Sequence, residues 1–323
     1  MSLSVNGLSK RYGNKWAVRD LSFQVDGGSV IGLFGGTASG KTTVLKTIAG
    51  QVKTNGGSIT LDDTDLTSVK AKDRGVTYVG ERAKNPLSDF IPFLSSGSST
   101  GEAAMDSFEA ALADAGKIIL LDEPFRQMDR SLREDCFAAV RKIGKMKGKV
   151  VIFASSDFDQ ILELCDEAAF LSNGEILQTG SPQAIYDEPV TVKAAQLTGE
   201  NNLIVVRRLT STDSDIPEFH TIAGGHRMFA QNTDKVSLGP INQNVTLAIR
   251  PEQVVLTPGT SYPEDNFLSG KVRAIRRRGP TLLVELDAGG LTIAGRVMRS
   301  TDLSIGDACM IGLPPHRINI LKD

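Results

Sequence analysis

Residues 29–49 read SVIGLFGGTASGKTTVLKTIA, and within them Gly35 to Thr42 satisfies G-x-x-x-x-G-K-[ST]. Such a loop has meaning only between an apolar strand and a helix, and VIGLF ahead and TVLKTIA behind supply both. The surrounding chain is thereby committed to an α/β sheet with the loop at a strand's C-terminal end. Backbone amides from Gly36 to Thr42 would point inward around a nucleotide β-phosphate, helped by the positive helix N-terminus. Candidate nucleotide contacts are Gly35, Gly36, Thr37, Ala38, Ser39, Gly40, Lys41, Thr42 and Thr43. Lys41 would reach β- and γ-phosphate oxygens, and the Thr42 hydroxyl would hold Mg²⁺. The bland alternative is a glycine-rich turn with a chance lysine, which the flanking strand and helix disfavour.

A site of this kind needs a second apolar strand that ends in acid, and residues 117–124, KIILLDEP, provide it. Asp122 would bind Mg²⁺ through water, and Glu123 would polarise the attacking water as general base. Alone, the Asp-Glu pair could be a strand-to-turn junction; paired with the phosphate loop it reads as chemistry. Other strand candidates are 2–6, 21–25, 58–61, 75–79, 149–154 and 167–172. Helix candidates at 41–49, 102–115, 130–146, 157–165 and 181–187 alternate with them, as a mixed or parallel α/β sheet requires. Asp129, and Ser181 followed by Pro182, read as helix-start signals, and Gly27-Gly28 and Gly56-Gly57 as hairpin turns.

Near residue 200 the character changes. Short β-branched runs such as 203–206, 245–249, 270–275, 281–286, 291–297 and 308–312 follow one another without helical periodicity. They read as a small all-β sandwich or partly open barrel. The expected domains are therefore 1–199 and 200–323, and 323 residues are enough for two. The balance of 36 basic against 38 acidic residues argues against a protein whose main business is coating nucleic acid or anionic lipid. No apolar run approaches the ~20 residues of a membrane span, and MSLSVNGLSK lacks a signal-peptide core. Cys136, Cys165 and Cys309 are isolated, as reduced cytosolic thiols would be.

The two motifs, their order and their flanks resemble the nucleotide-binding subunits of ABC transporters, over nearly the whole chain. The resemblance implies an α/β P-loop NTPase of the ABC type, followed by an all-β OB/TOBE-like domain. Within GLSKRYGNKWAVRDLSFQV, Tyr12 falls where the family stacks a ring on adenine. Asp129 matches the aspartate that follows Walker B, and residues 167–189 look like the closing strand, hairpin and helix. LAIRPEQV at 247–254 and the β-rich segment behind it resemble the TOBE domain of importer ATPases. The resemblance also implies ATP and Mg²⁺, a second ATP-binding subunit, two membrane permease subunits and, indirectly, an extracytoplasmic solute-binding protein. The implied location is the inner face of the cell membrane.

Departures from the family pattern bear on mechanism. Ala38 stands where the family has glycine, a change that is tolerable if φ stays negative. Glu81 stands for the glutamine that contacts Mg²⁺ and water; a carboxylate still ligates Mg²⁺ but donates no hydrogen bond when ionised. Ser156 stands for the switch histidine, and it reaches a γ-phosphate only through a water. The signature aligns with SSTGE at 98–102, where Ser99 and Gly101 match and would face a partner's ATP; an alternative placement is 94–98. Residues 82–97 leave no room for a multi-helix subdomain and read as a loop with at most one helical turn. His220, His226 and His316 all lie in the tail and replace nothing at the site.

These departures favour a degenerate ATP-binding half that pairs with a complete, different ATPase beneath an importer. A homodimeric importer ATPase and a soluble ATP-binding regulator are the alternatives. A nucleic-acid module rests only on Arg276-Arg277-Arg278, which lacks interleaved aromatics. The transported solute is not written in an ATPase that never touches it.

Overall fold

The computed structural model describes residues 1–80, 112, 115–125, 130–208, 216–231, 238, 241–257 and 266–321, with the backbone alone at 130–132. The chain divides into two units, Met1–Ile185 and Tyr186–Asp323.

In the first unit, β1 (Ser2–Tyr12) and β2 (Lys15–Asp26) form a hairpin, followed by β3 (Val30–Phe34), α1 (Lys41–Ile48), β4 (Gly56–Leu61) and β5 (Thr64–Asp65). Then come β6 (Val76–Gly80), β7 (Ile118–Asp122), α2 (Arg130–Gly144), β8 (Val150–Ser155) and α3 (Phe158–Leu164). β9 (Glu167–Ser172), β10 (Glu175–Gly180) and α4 (Pro182–Asp187) complete the run to the division, which α4 straddles. A four-stranded antiparallel sheet has the order β2-β1-β4-β5, and a six-stranded sheet the order β10-β9-β3-β8-β7-β6. From β9 to β6 the neighbours are parallel. The continuous apolar runs explain this, since every residue of β3, β7 and β8 is buried, as sheets covered on both faces require.

The core sits where α1 meets the sheets. Val44, Leu45 and Ile48 are fully buried in one cluster with Leu3 and Val5 of β1, Leu33 of β3, Leu120 of β7 and Ile152 of β8. Each such side chain contributes roughly 1.5–3 kcal/mol, which fixes α1 behind the loop that precedes it. Cys136, Cys165 and Cys309 are free thiols, and burial pushes Cys136 up to about 12, so it behaves as a packing residue.

The second unit continues with α5 (Val192–Leu197), β11 (Asn202–Arg207), β12 (Glu218–Thr221), β13 (Arg227–Phe229) and β14 (Asn244–Ile249). β15 (Val255–Thr257), β16 (Asn266–Arg278), β17 (Thr281–Ala288), β18 (Leu291–Met298), β19 (Ala308–Leu313) and β20 (Asn319–Leu321) follow. Two five-stranded antiparallel sheets, β13-β12-β11-β14-β20 and β15-β19-β16-β17-β18, enclose an apolar core. Buried asparagines tie one sheet to the other by imitating a peptide group. Asn202 on β11 donates to Ala294 O at 2.8 Å and accepts from Ala294 N at 2.7 Å on β18. Asn266 on β16 donates to Phe229 O at 2.7 Å and Leu313 O at 2.8 Å.

Arg250 is 1% exposed in this unit. It donates to Tyr186 O (2.6 Å), Thr198 Oγ1 (2.7 Å) and Glu200 O (3.3 Å), and its guanidinium carbon lies 3.8 Å from the Tyr186 ring centroid. Tyr186 in turn donates to Glu252 at 2.6 Å, and burial, reinforced by Glu252, pushes its phenol up to about 12.

The division at 185/186 falls ahead of the 199/200 boundary expected from the change to β-branched runs. Ala195 of α5 packs against Ala248 and Leu321, so that short helix belongs to the β-rich unit. The first hairpin runs far beyond the expected 2–6 and 21–25, because backbone pairing extends it through polar residues as far as Tyr12 and Lys15. Gly27-Gly28 is not a hairpin turn but joins β2 of one sheet to β3 of the other. Gly56-Gly57 opens β4, and a Cβ on Gly57 would meet Gly7 O at 2.4 Å. Hairpin turns lie instead between Tyr12 and Lys15, between Leu61 and Thr64 and between Ser172 and Glu175. Ser181 and Pro182 do start α4, where Ser181 Oγ accepts from Ala184 N at 3.2 Å. The shortened stretch 82–97 and the helix expected at 102–115 lie outside the described residues, apart from positions 112 and 115. Of the basic triplet, Arg276 pairs with Glu285 (2.7 Å) and Arg278 with Glu200 (3.1 Å), so two of its three charges already have carboxylate partners. No helix among the described residues is long and apolar enough to cross a membrane.

Candidate nucleotide-binding site

β3 delivers Gly35 at its C-terminal end, and the chain turns there in close quarters. A Cβ on Gly35 would lie 2.3 Å from Leu171 O. Gly40, with φ +112, caps α1, and Ser39 N donates to Gly36 O at 3.2 Å across the loop. Gly174 N donates to Ser39 O at 2.9 Å and anchors the loop to the turn after β9. Among the described residues, the buried Ser39 hydroxyl has no hydrogen-bond partner.

Ala38 has φ +61. The condition set for a methyl group there, a negative φ, is not met, so the loop holds an alanine in the left-handed region at a cost of about 1–2 kcal/mol. Strain of this sort persists where the surroundings over-determine the backbone.

Lys41 is 6% exposed. Its ammonium donates to Gly35 O (2.6 Å) and Gly36 O (3.1 Å) and lies 3.6 Å from Glu123 Oε1. Glu123 itself has φ +51, and its amide donates to Ala154 O at 2.9 Å, which holds it just past the end of β7. Thr42 Oγ1 donates to Asp122 Oδ1 at 3.2 Å, and Tyr78 OH donates to Asp122 Oδ2 at 2.8 Å. A hydroxyl and a carboxylate oxygen thus face each other between the start of α1 and the end of β7. Hard oxygens in that number suit Mg²⁺, which takes one or two protein ligands and completes its octahedron with water and phosphate. Among the described residues there is no cluster of three or more His, Cys, Asp or Glu side chains able to hold a metal.

Beside the loop opens a cavity of about 390 Å³, lined by Tyr12, Lys15, Trp16, Ala17 and residues 38–43. Tyr12 and Trp16 are 53% and 44% exposed, with Arg11 5.9 Å from the Trp16 ring. The site therefore joins an aromatic, basic wall to a loop of amides and a buried ammonium.

The structure brings together Tyr12, Ala38–Thr43 and Lys41 on the cavity, with Asp122 and Glu123 beside them. Ser156 is exposed just beyond β8, next to a buried Ser155 that accepts from Asp157 N at 3.0 Å. Glu81, Ser99, Gly101 and Asp129 lie outside the described residues. Sequence reasoning missed Lys15, Trp16 and Tyr78. The signal for the first two was the hairpin turn at Gly13-Asn14; for Tyr78 there was none, since only the register of β6 on β7 brings it to Asp122.

A strand-loop-helix with a buried lysine, an acid-ended neighbouring strand and an open cavity defines a P-loop nucleotide-binding protein. The ABC transporter family matches residues 18–91, and the TOBE domain family matches residues 247–321. A sulfate/thiosulfate import ATP-binding protein of Agrobacterium fabrum is 27% identical over 89% of this chain and 88% of its own length. An Fe(3+) ions import ATP-binding protein of Haemophilus influenzae is 25% identical over 94% of each chain. A solved ATP-binding cassette of an ABC transporter, in its ADP conformation, matches with a TM-score of 0.51 at 20% identity, covering 62% of this chain and 100% of its own; that likeness speaks for fold alone. The chain is thus similar to import ATP-binding proteins of ABC transporters, with its ABC transporter match placed ahead of its TOBE match.

Proposed function

We propose that this chain binds MgATP on the 35–43 loop and uses its hydrolysis to drive solute import through two membrane permease subunits. The observation that carries the reading is the buried Lys41 ammonium, 3.6 Å from Glu123, on the wall of a cavity of about 390 Å³. Tyr12 stacks on the base, the loop amides and Lys41 bind the β- and γ-phosphates, and Thr42 and Asp122 hold Mg²⁺. Mg²⁺, when bound, neutralises charge building on the transferred phosphoryl oxygens. Glu123 takes a proton from the attacking water, which adds to the γ-phosphorus as the bond to the ADP oxygen breaks, leaving ADP and inorganic phosphate. Glu81 assists at the metal, and Ser99, Gly101 and Asp129 face the ATP of a second ATP-binding subunit.

That second subunit is, in this reading, a complete and different ATPase. Ser156 supports it, because an exposed serine beyond β8 replaces an imidazole that would hold the γ-phosphate. The second reading is a homodimer, and Glu123, retained beside Lys41, favours it. Import of an inorganic ion is supported by relatives named for sulfate/thiosulfate and for Fe(3+). The test is steady-state ATP turnover by the purified chain at high concentration, beside Lys41→Ala. ATP binding without turnover above the variant supports the two-ATPase reading. Turnover well above it supports the homodimer, and absence of ATP binding overturns both.

A further inference from the structure

Asp122 is 3% exposed and each of its carboxylate oxygens already has a hydroxyl donor: Thr42 at 3.2 Å on Oδ1 and Tyr78 at 2.8 Å on Oδ2. The first of these is the pair expected to meet Mg²⁺. The second has no place in the reading above. Tyr78 lies on β6 opposite Leu120 of β7, and Gly80 lies opposite Asp122 itself. A Cβ on Gly80 would come within 2.6 Å of the Tyr78 hydroxyl. The strand therefore carries a glycine where the phenol needs room to reach across to the carboxylate.

We propose that Tyr78 is a positioning residue for the metal: by holding Asp122 Oδ2, it leaves Oδ1 alone to face a divalent cation bound with nucleotide phosphate. The inference rests on the MgATP reading of the 35–43 loop. When the Thr42 hydroxyl turns its lone pair to a cation, its bond to Asp122 is released, while the Tyr78 bond stays and keeps the carboxylate plane fixed. Asp122 reaches the cation through a water, and a carboxylate fixed at one oxygen offers that water a single, fixed acceptor. Mg²⁺ and Mn²⁺, which keep several waters in a strict octahedral array, depend on that placement, whereas Ca²⁺, with its flexible shell, depends on it little. Outer-shell partners of a metal site typically carry about 10–100-fold in affinity.

The experiment measures Mn²⁺ and Ca²⁺ binding to the full chain saturated with ADP, for wild type and Tyr78→Phe. Electron paramagnetic resonance reads free Mn²⁺, and competition against Mn²⁺ gives Ca²⁺. Metal-free ADP affinity is followed in chelator by the fluorescence of Trp16, the only tryptophan in the chain. The expected result is a loss of Mn²⁺ affinity of about tenfold, little change for Ca²⁺ and unchanged metal-free ADP affinity. Gly80→Ala, which displaces the phenol, is expected to give the same pattern. In an Asp122→Asn background, Tyr78→Phe is expected to add nothing. Unchanged Mn²⁺ affinity in Tyr78→Phe overturns the proposal. So does an equal loss for both cations and for metal-free ADP, the mark of a merely structural tyrosine, or a full loss that persists in the Asp122→Asn background. Failure of the wild type to bind ADP at all is a different result and brings down the MgATP reading as well.

Discussion

Lys41 and Arg250 are both cations with almost no contact with water, at 6% and 1% exposure, yet they are held in different ways. Arg250 spends its donors on two carbonyls and a hydroxyl of its own unit and lies face-on to Tyr186. Burial lowers the pKa of its guanidinium, and no bound anion is needed to explain it. Lys41 also donates to carbonyls, but its ammonium lies beside Glu123 on the wall of a cavity, and the backbone around it is left-handed at Ala38, Gly40 and Glu123. A buried charge is therefore weak evidence for a site by itself. A buried charge with an adjoining cavity and stored backbone strain is stronger, because neither is needed for packing.

Four substitutions press on that contrast. The largest effect is expected for Arg250→Met, which leaves several buried acceptors without a donor, each costing about 1–3 kcal/mol. Urea unfolding of the β-rich unit is expected to show a loss of about 3 kcal/mol or more, with ATP affinity unchanged. Loss of ATP binding in this variant would erase the distinction between the two cations. Lys41→Ala is expected to reverse the pattern: ATP affinity, read from Trp16 fluorescence, falls by about tenfold to a hundredfold, since a hydrogen bond to a charged group is worth about 1.5–3 kcal/mol. Its urea midpoint is expected to move little.

Tyr12→Ala separates the aromatic wall from the cationic loop. A base-stacking contribution of about 1–3 kcal/mol is expected to vanish for ATP and to be absent for tripolyphosphate, in parallel titrations. Equal losses for the two ligands would place Tyr12 outside the base contact. The smallest effect is that of Ala38→Gly, which relieves a left-handed alanine. It is expected to raise thermal stability by about 1 kcal/mol without weakening ATP, and a lower melting temperature would contradict the strain assigned to φ +61.

The phosphate loop was legible because its signal is local: strand, glycines, lysine and helix occupy one stretch of 21 residues, 29–49. Asp122 and Glu123 were legible for the same reason, at the end of an uninterrupted aliphatic strand. Tyr78 was not, because its partner is 44 positions away and only the parallel register of β6 on β7 brings them together. The outer part of the first hairpin was hidden by its polarity: Lys10, Arg11 and Lys15 show no apolar alternation, and Trp16 reaches the cavity only once the strands have paired. The tail's alternation gave the β architecture, yet β12 and β13, of four and three residues, are too short to show a period. The sign of φ at Ala38 could not be read either, since it is set by how the loop closes and not by the residue.

The most direct test of the account is a calorimetric titration of the purified full chain with ATP in the presence of Mg²⁺, run beside Lys41→Ala. Saturable binding at one site per chain, lost or much weakened in the variant, is the expected result. Binding of equal strength in both proteins, or none in either, would contradict the claim that the loop between β3 and α1 is where this protein meets its nucleotide.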